Sequence, residues 1–500
     1  MHLTRGSSKL SLVLVLTLVG LAGLALLWFA SQNRSWQATE RLVVHAAAGT
    51  RIPMEQLAAG YEELHGVRIQ LNYGGSGALL GALKVRPRGD IYIAADSSYV
   101  EKAQGFGIVR ELVPLASMVP VLAVPTGNPK GLRSLADLER ADLRVALAEP
   151  DVAAVGQIAR QALQSSGRWE AVRTSIKVTK PTEPELAADL ELGAVDVSIL
   201  WSSTVKQRPK LEAVHDADLD RFPRRITGGV LEQSTASAEA LRFLRFASSS
   251  DRGATIFEAA GFNTLDNGPY DDAPHLVLFS GAMLHGAVEQ RITAFAEREG
   301  VRIDTVYNGC GILVSQMRAG AEVDAYFACD NSFMDMVQER FEASTVVSAS
   351  PVVLLVAKGN PQGLAELEDL CRADLRVGLA HPENSALGSL TQGLLERANL
   401  TERLQSSGNV KVESPTGDYL VNQLRVGALD VAVVYASNAA MALEEVERVP
   451  LDLPGALALQ PFAAAKSTQH PLVLARLLAE LTSDASKARF EELGFQWQVQ

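Results

Sequence analysis

Four strand-to-helix junctions in each half of this sequence combine the residue types that hold small ligands through backbone and hydroxyl groups. In the first half they are AAAGT at 46–50, GGSG at 74–77, AAVG at 153–156 and the strand end at Trp201. In the second half they are SGAML at 280–284, NGCG at 308–311, SALG at 385–388 and the strand end at Tyr435. Small residues let a backbone approach a ligand closely. A helix that begins at such a point directs unpaired N–H groups and its positive dipole end toward the same spot. This arrangement can hold an anion without Arg or Lys. One Gly-rich turn is ordinary in any α/β fold, but four in matching order, used twice, favour a binding role.

Other reactive groups point elsewhere. Cys310 and Cys329 fall at neighbouring strand ends, and with Met283 and His285 they could form a soft-metal site. The same two cysteines could equally form a disulfide or pack as small inert side chains. Cys371, in EDLCRADL, reads as structural. His285 with Cys310 could suggest a base and a nucleophile, but no third orienting group accompanies them, so no enzyme is expected. Asp96 and Asp330 precede Ser97–Ser98 and Asn331–Ser332, a pattern that predicts helix capping.

The scaffold that positions these groups is duplicated. LAVPTGNPKGLRSLADLERADLRVALAEP at 122–150 reappears as LLVAKGNPQGLAELEDLCRADLRVGLAHP at 354–382, an offset of 232 residues. VRIQLNYGGSG (67–77) pairs with VRIDTVYNGCG (301–311), and GDIYIAAD (89–96) with VDAYFACD (323–330). ELGAVDVSILW (191–201) pairs with RVGALDVAVVY (425–435), and AAGF (259–262) with ELGF (492–495), all at offsets of 233 or 234. The chain divides into an N-terminal apolar segment (1–35), a first domain (40–263) and a second domain (275–500). The polar, turn-rich NTLDNGPYDDAPH at 263–275 is the linker. A period this long signals duplication of a whole domain rather than a solenoid.

Within each copy, strand and helix signals alternate. In the first, strands are predicted at 41–46, 67–73, 91–94, 117–124, 143–147 and 195–201. Helices are predicted at 53–64, 78–85, 134–140 and 155–165. Alternation with short connections predicts mostly parallel sheets with helices on both faces. Ligands in such sheets bind beyond the carboxyl ends of strands.

Composition sets the remaining bounds. With 47% hydrophobic and 21% charged residues over 500 positions, the chain is an ordinary globular sequence of more than one domain. A net charge of −12 argues against a nucleic-acid partner. Arg5 and Lys9 precede an apolar run from Leu10 to Ala30, close to the roughly 20 residues of a membrane span. It reads as an uncleaved signal anchor or a long cleaved signal peptide. Both readings place the rest of the chain outside the cytoplasm, in the periplasm, and the first makes the inner membrane a partner.

The ordered junctions, GGSG followed by GDIYIAAD and the GxxDVxxxY-type strand, resemble the molybdate-binding proteins of ABC transporters. The resemblance covers nearly all of the chain beyond the N-terminal segment, twice. It implies the α/β type II periplasmic-binding-protein fold, with two lobes around a cleft in each copy. It also implies a small tetrahedral oxyanion (molybdate- or tungstate-like) as ligand, an ABC permease as partner, and no cofactor or metal. The family's first serine falls on Gly49 and Met283, with Thr50 as a substitute in the first copy. Its second falls on Ser76 and Cys310. Backbone amides are expected at Val155 and Leu387, and near Glu183 and Gly417. The final tyrosine is Trp201 in the first copy and Tyr435 in the second. Alternatives are a membrane-tethered sensor or scaffold with diverged clefts, and a soft-metal or thiol binder through the second copy.

Overall fold

The computed structural model describes residues 41–150 and 153–499. The expected N-terminal anchor lies outside the described residues. No helix among the described residues is long and apolar enough to cross a membrane. The chain forms two compact units. One runs to Leu265, and the other from Asp266, taking in also Ser237–Arg245 and Ser249–Asp251.

In the first unit, the strands Arg41–Ala47 and Ile91–Ala94 alternate or saturate in apolar residues and lie at the centre of a five-stranded sheet. Arg41–Ala47 pairs in parallel with Arg68–Gly74 and with Ile91–Ala94. Arg224–Leu231 then adds antiparallel to Ile91–Ala94, and Val109–Met118 antiparallel to it. This is the first lobe. The second lobe holds Pro120–Pro125 between the antiparallel strands Ser198–Trp201 and Leu211–Val214. Val145–Ala148 and Ile176–Lys180 form a parallel pair joined to it by a bridge from Val145 to Val197.

The second unit repeats this plan with one difference. Thr345–Ala357 is a single strand that serves both lobes. Its first part pairs with Leu457–Ala464 and its last part with Val431–Tyr435 and Val446–Pro450. The first unit breaks the same passage at Val119, between Met118 and Pro120. Proline lacks the N–H that a ladder needs, so it favours a strand start. Pro351 falls inside the continuous strand but pairs with Leu457 at the transition between lobes.

The α/β class and the two-lobed repeats agree with expectation. The sheets are mixed rather than mostly parallel, because the strands that cross between lobes, Val109–Met118 and Arg224–Leu231 among them, enter antiparallel. The predicted strand at 117–124 is two strands. The helix expected at 78–85 begins at Ser76, so the GGSG turn supplies its first residues. The helix expected at 134–140 is a short 3-10 turn, Leu135–Glu139, closed by Asp137.

Candidate functional site

Five elements converge on one cleft in the first unit. The helix Arg51–His65 follows a 3-10 turn at Ala48–Thr50, and the helix Ser76–Val85 starts directly after Gly75. From the second lobe come the starts of helices Ala154–Ser165 and Glu183–Glu191 and the strand end at Trp201. A cavity of about 400 Å³ lies among them, lined by Gly49, Thr50, Ser76, Ala154, Glu183 and Trp201, among others. That volume is in the range of small-molecule sites, roughly 300–1,000 Å³. The helices at 76, 154 and 183 lack any side-chain N-cap hydrogen bond, so their first N–H groups have no side-chain acceptor of that kind.

The side chains divide by availability. Ser76 Oγ accepts the Ala95 N–H at 3.2 Å, which holds the hydroxyl in place and leaves its own proton to donate. Thr50 Oγ1 donates to Ala47 O at 2.8 Å, so its one proton is already used. Val155 is buried in its helix, and the neighbouring Ala153 and Ala154 line the cavity beside it. Asp96 also lines the cleft. It caps the helix Ser97–Gly105 through Ser98 N–H and pairs with Arg224 at 2.7 Å. Among the described residues, no Arg, Lys or His lines this cavity.

Glu183 opens its helix at the cavity wall and carries a side chain that the amide reading left out. Beyond the backbone amide expected of it, Glu183 brings a carboxyl among wall residues of the cavity: Oε1 accepts the Trp201 N–H at 2.6 Å, and the Thr204 hydroxyl also bonds to the carboxyl. Burial pushes this carboxyl up to about 7, against the opposing pull of the Trp201 N–H, the Thr204 hydroxyl and Arg208. The repeat offset held the signal, because Glu183 matches Gly417 and Thr204 matches Asn438.

The second unit places the same junctions against each other. A Cβ on Gly309 would stand 2.4 Å from Asn384 O and 2.6 Å from Pro415 O, and one on Gly311 would stand 2.0 Å from Glu383 O. These glycines therefore serve direct packing of one lobe on the other. Cys310 and Tyr435 are buried, as is Leu387. The Tyr435 hydroxyl has no hydrogen-bond partner among the described residues. Its N–H is held by Asn438 Oδ1 at 3.1 Å, and Asn438 Nδ2 donates to Asp418 Oδ1 at 2.9 Å. Gly417 leaves the room that Asn438 needs, since a Cβ there would meet Oδ1 at 2.3 Å. So the strand-end N–H is held by the helix residue Glu183 in one copy and by Asn438 in the other.

Met283 and His285 line a cavity of about 250 Å³ with Asp418 and Arg425, whose lining does not include the cysteines. Cys329 N–H donates to Cys310 Sγ at 3.0 Å, and both sulfurs approach Gly281. The hydrogen bond with Cys310 and burial hold the Cys329 thiol well above its usual range. The imagined four-residue soft-metal set is not assembled. Among the described residues no group of three or more His, Cys, Asp or Glu could hold a metal ion. The glycines of the third junction have a packing role in both copies. A Cβ on Gly156 would stand 2.4 Å from Ala148 O, and one on Gly388 would stand 2.3 Å from His381 O. Asp96 and Asp330 cap helices as expected.

Comparison with known proteins adds the following. A sequence profile described as bacterial extracellular solute-binding protein matches residues 42–263 and, again, 276–496. A binding protein of Haemophilus influenzae is 28% identical over 222 residues, which is 44% of this chain and 90% of the relative. A molybdate-binding protein of Mycobacterium tuberculosis is 26% identical over 233 residues, or 46% of this chain and 87% of the relative. A solved periplasmic molybdate-binding protein of Azotobacter vinelandii is 17% identical with a TM-score of 0.40, covering 45% of this chain and all of that one.

Proposed function

Since the chain belongs to the bacterial extracellular solute-binding proteins, we propose that it captures a small tetrahedral oxyanion outside the cytoplasm and hands it to an ABC permease. Residues 40–263 and 275–500 are its two binding-protein domains, and the N-terminal apolar segment tethers them to the inner membrane. The first domain holds the working cleft. The observation that carries this reading is the 400 Å³ cavity, where the Ser76 hydroxyl and three helix N-termini face one space. Helix N-termini stabilise an anion through free N–H groups and the aligned peptide dipoles. Lobe closure about the passage at Val119 would complete the grip. The relative from Mycobacterium tuberculosis, named for molybdate, supports the ligand class.

Titration calorimetry of the full chain in detergent with molybdate, tungstate and sulfate tests this. Saturable binding that Ser76→Ala weakens supports it, and no heat with any of the three rejects it.

A specific observation favours a second reading for the other copy. The packed Gly309 and Gly311 and the buried Tyr435 suit a diverged, scaffold-like domain that takes no oxyanion. Cys310 and Cys329, both free thiols rather than a disulfide, leave a thiol-based role to this copy as the remaining reading. Saturable binding that survives loss of the first cleft would restore a ligand role to the second.

A further inference from the structure

The oxyanion reading leaves the Glu183 carboxyl unexplained. A carboxylate that lines an anion cleft repels the ligand the cleft is built to hold. Among the described residues of the cavity wall, none is basic to offset it. Around the helix Glu183–Glu191, the strands Pro120–Pro125, Val145–Ala148 and Ser198–Trp201 carry no titratable side chain. Lys180 is held by Asp189 at 3.3 Å, and Arg208 by Glu191 at 3.0 Å. Lys177 is exposed, Glu212 accepts the Gly127 N–H, and Lys206 packs beside Gly261. Across the cleft, Asp96 is held by Arg224. Among the described residues, Glu183 itself receives the Trp201 N–H, the Thr204 hydroxyl and the field of Arg208.

We propose that the first cleft takes its anion together with one proton, shared between the anion and the Glu183 carboxyl. This rests on the oxyanion reading and narrows its ligand class. A fully ionised anion such as sulfate brings no proton, so Glu183 must be protonated to donate to it. Monohydrogen phosphate or a phosphate monoester monoanion brings its own, and Glu183 then accepts as a carboxylate. Either way one O–H···O bond replaces a repulsion between two negative groups. A carboxyl that titrates near neutrality is suited to both states. The second copy has glycine at this position, so it lacks the device.

The test is calorimetry of the full chain in detergent, with inorganic sulfate and inorganic phosphate as probes. Each is run in two buffers of different ionisation enthalpy from about pH 6 to about pH 8.5, a range that brackets the raised carboxyl. Near the upper limit, sulfate binding is expected to take up close to one proton, and its affinity to fall about tenfold per pH unit. Phosphate affinity is expected to stay within about threefold over the alkaline half of the range. Glu183→Gln, which donates without titrating, is expected to flatten the sulfate profile and remove the proton uptake. Sulfate that binds the parent chain near the upper limit of this range without proton uptake overturns the proposal. So does proton uptake that persists in Glu183→Gln. Absence of binding by sulfate and phosphate at every pH while molybdate still binds overturns the proposal, whereas absence of binding by molybdate and tungstate as well brings down the oxyanion reading itself, which is a separate result.

Discussion

The two copies share an order of elements and differ in what their junctions face. In the first, a Cβ on Gly49 or Gly75 would meet nothing within 4 Å, and the junctions look onto a cavity. In the second, the matching turn is pressed onto Asn384 and Pro415, and the strand-end tyrosine is sealed in. The same Gly-rich pattern therefore serves two purposes, ligand approach in one copy and lobe-to-lobe packing in the other. Glycine is needed wherever a backbone comes close, whether the close object is a ligand or another chain segment. The polar side chains follow suit. Glu183 faces the cavity in the first copy, whereas Asn438 fills the space over Gly417 in the second.

The sharpest way to break this contrast is to add one carbon on each side. Gly311→Ala is expected to cost about 2–3 kcal/mol, as overpacking against a fixed backbone does. Gly75→Ala, with open space around it, is expected to stay within about 0.5 kcal/mol. Urea unfolding of both variants measures the difference. Equal costs would mean that the second cleft is not held shut by this contact.

Binding should separate the copies next. Ser76→Ala is expected to weaken oxyanion affinity by about 1.5–3 kcal/mol, the worth of a hydrogen bond to a charged group. Cys310→Ser, which restores the hydroxyl the second copy lacks, is expected to leave total binding unchanged because its site is packed shut. Calorimetric stoichiometry reads both, and a new binding event in Cys310→Ser would show the second cleft to be usable.

The pH dependence of stability sharpens the contrast further. The Glu183 carboxyl titrates near 7 when folded, above its ordinary range, so the folded chain holds this proton more tightly than the unfolded chain. Its contribution is therefore fully present below about pH 4.5 and is lost as pH rises toward about 7. Burial raises Asp418 in the second copy in the same direction. Glu183→Gln should remove the first copy's share and leave that of Asp418, as followed by urea midpoints across this range. An unchanged profile would place Glu183 in contact with solvent.

Two smaller effects complete the set. Fragments 36–270 and 271–500 are expected to fold separately, checked by circular dichroism and thermal melting. The second should be the weaker, since the cut removes Arg245, whose Nη1 donates to Glu299 O at 3.0 Å. Tyr435→Phe removes a buried hydroxyl without a hydrogen-bond partner among the described residues and is expected to change stability by no more than about 1 kcal/mol, upward if at all. A larger loss would show that this hydroxyl is bonded in solution.

Much of the scaffold was legible from local patterns. The strand at Ile91–Ala94 reads directly from IYIA after Asp90, and the helix Arg51–His65 from its apolar spacing and its stop at Gly66, which is left-handed at φ 70°. The strand Val109–Met118 escaped notice although its burial alternates, because Pro114 interrupts the pattern. Of the site, Ser76 stood out as a hydroxyl in a Gly-rich turn. Glu183 was read only for its backbone amide, because the carboxyl of a glutamate opening a helix ordinarily serves the dipole at the surface.

The sequence by itself determined the duplication, the α/β alternation and the order of the junctions along each copy. These follow from short-range periodicity and turn chemistry, which neighbouring residues specify. Only the tertiary structure decided which junctions meet a cavity and which meet each other, and that a carboxyl stands in the anion cleft. Those outcomes depend on how two lobes settle against one another through contacts between residues far apart in the chain. A shift of a few ångströms there turns a binding surface into a packed interior.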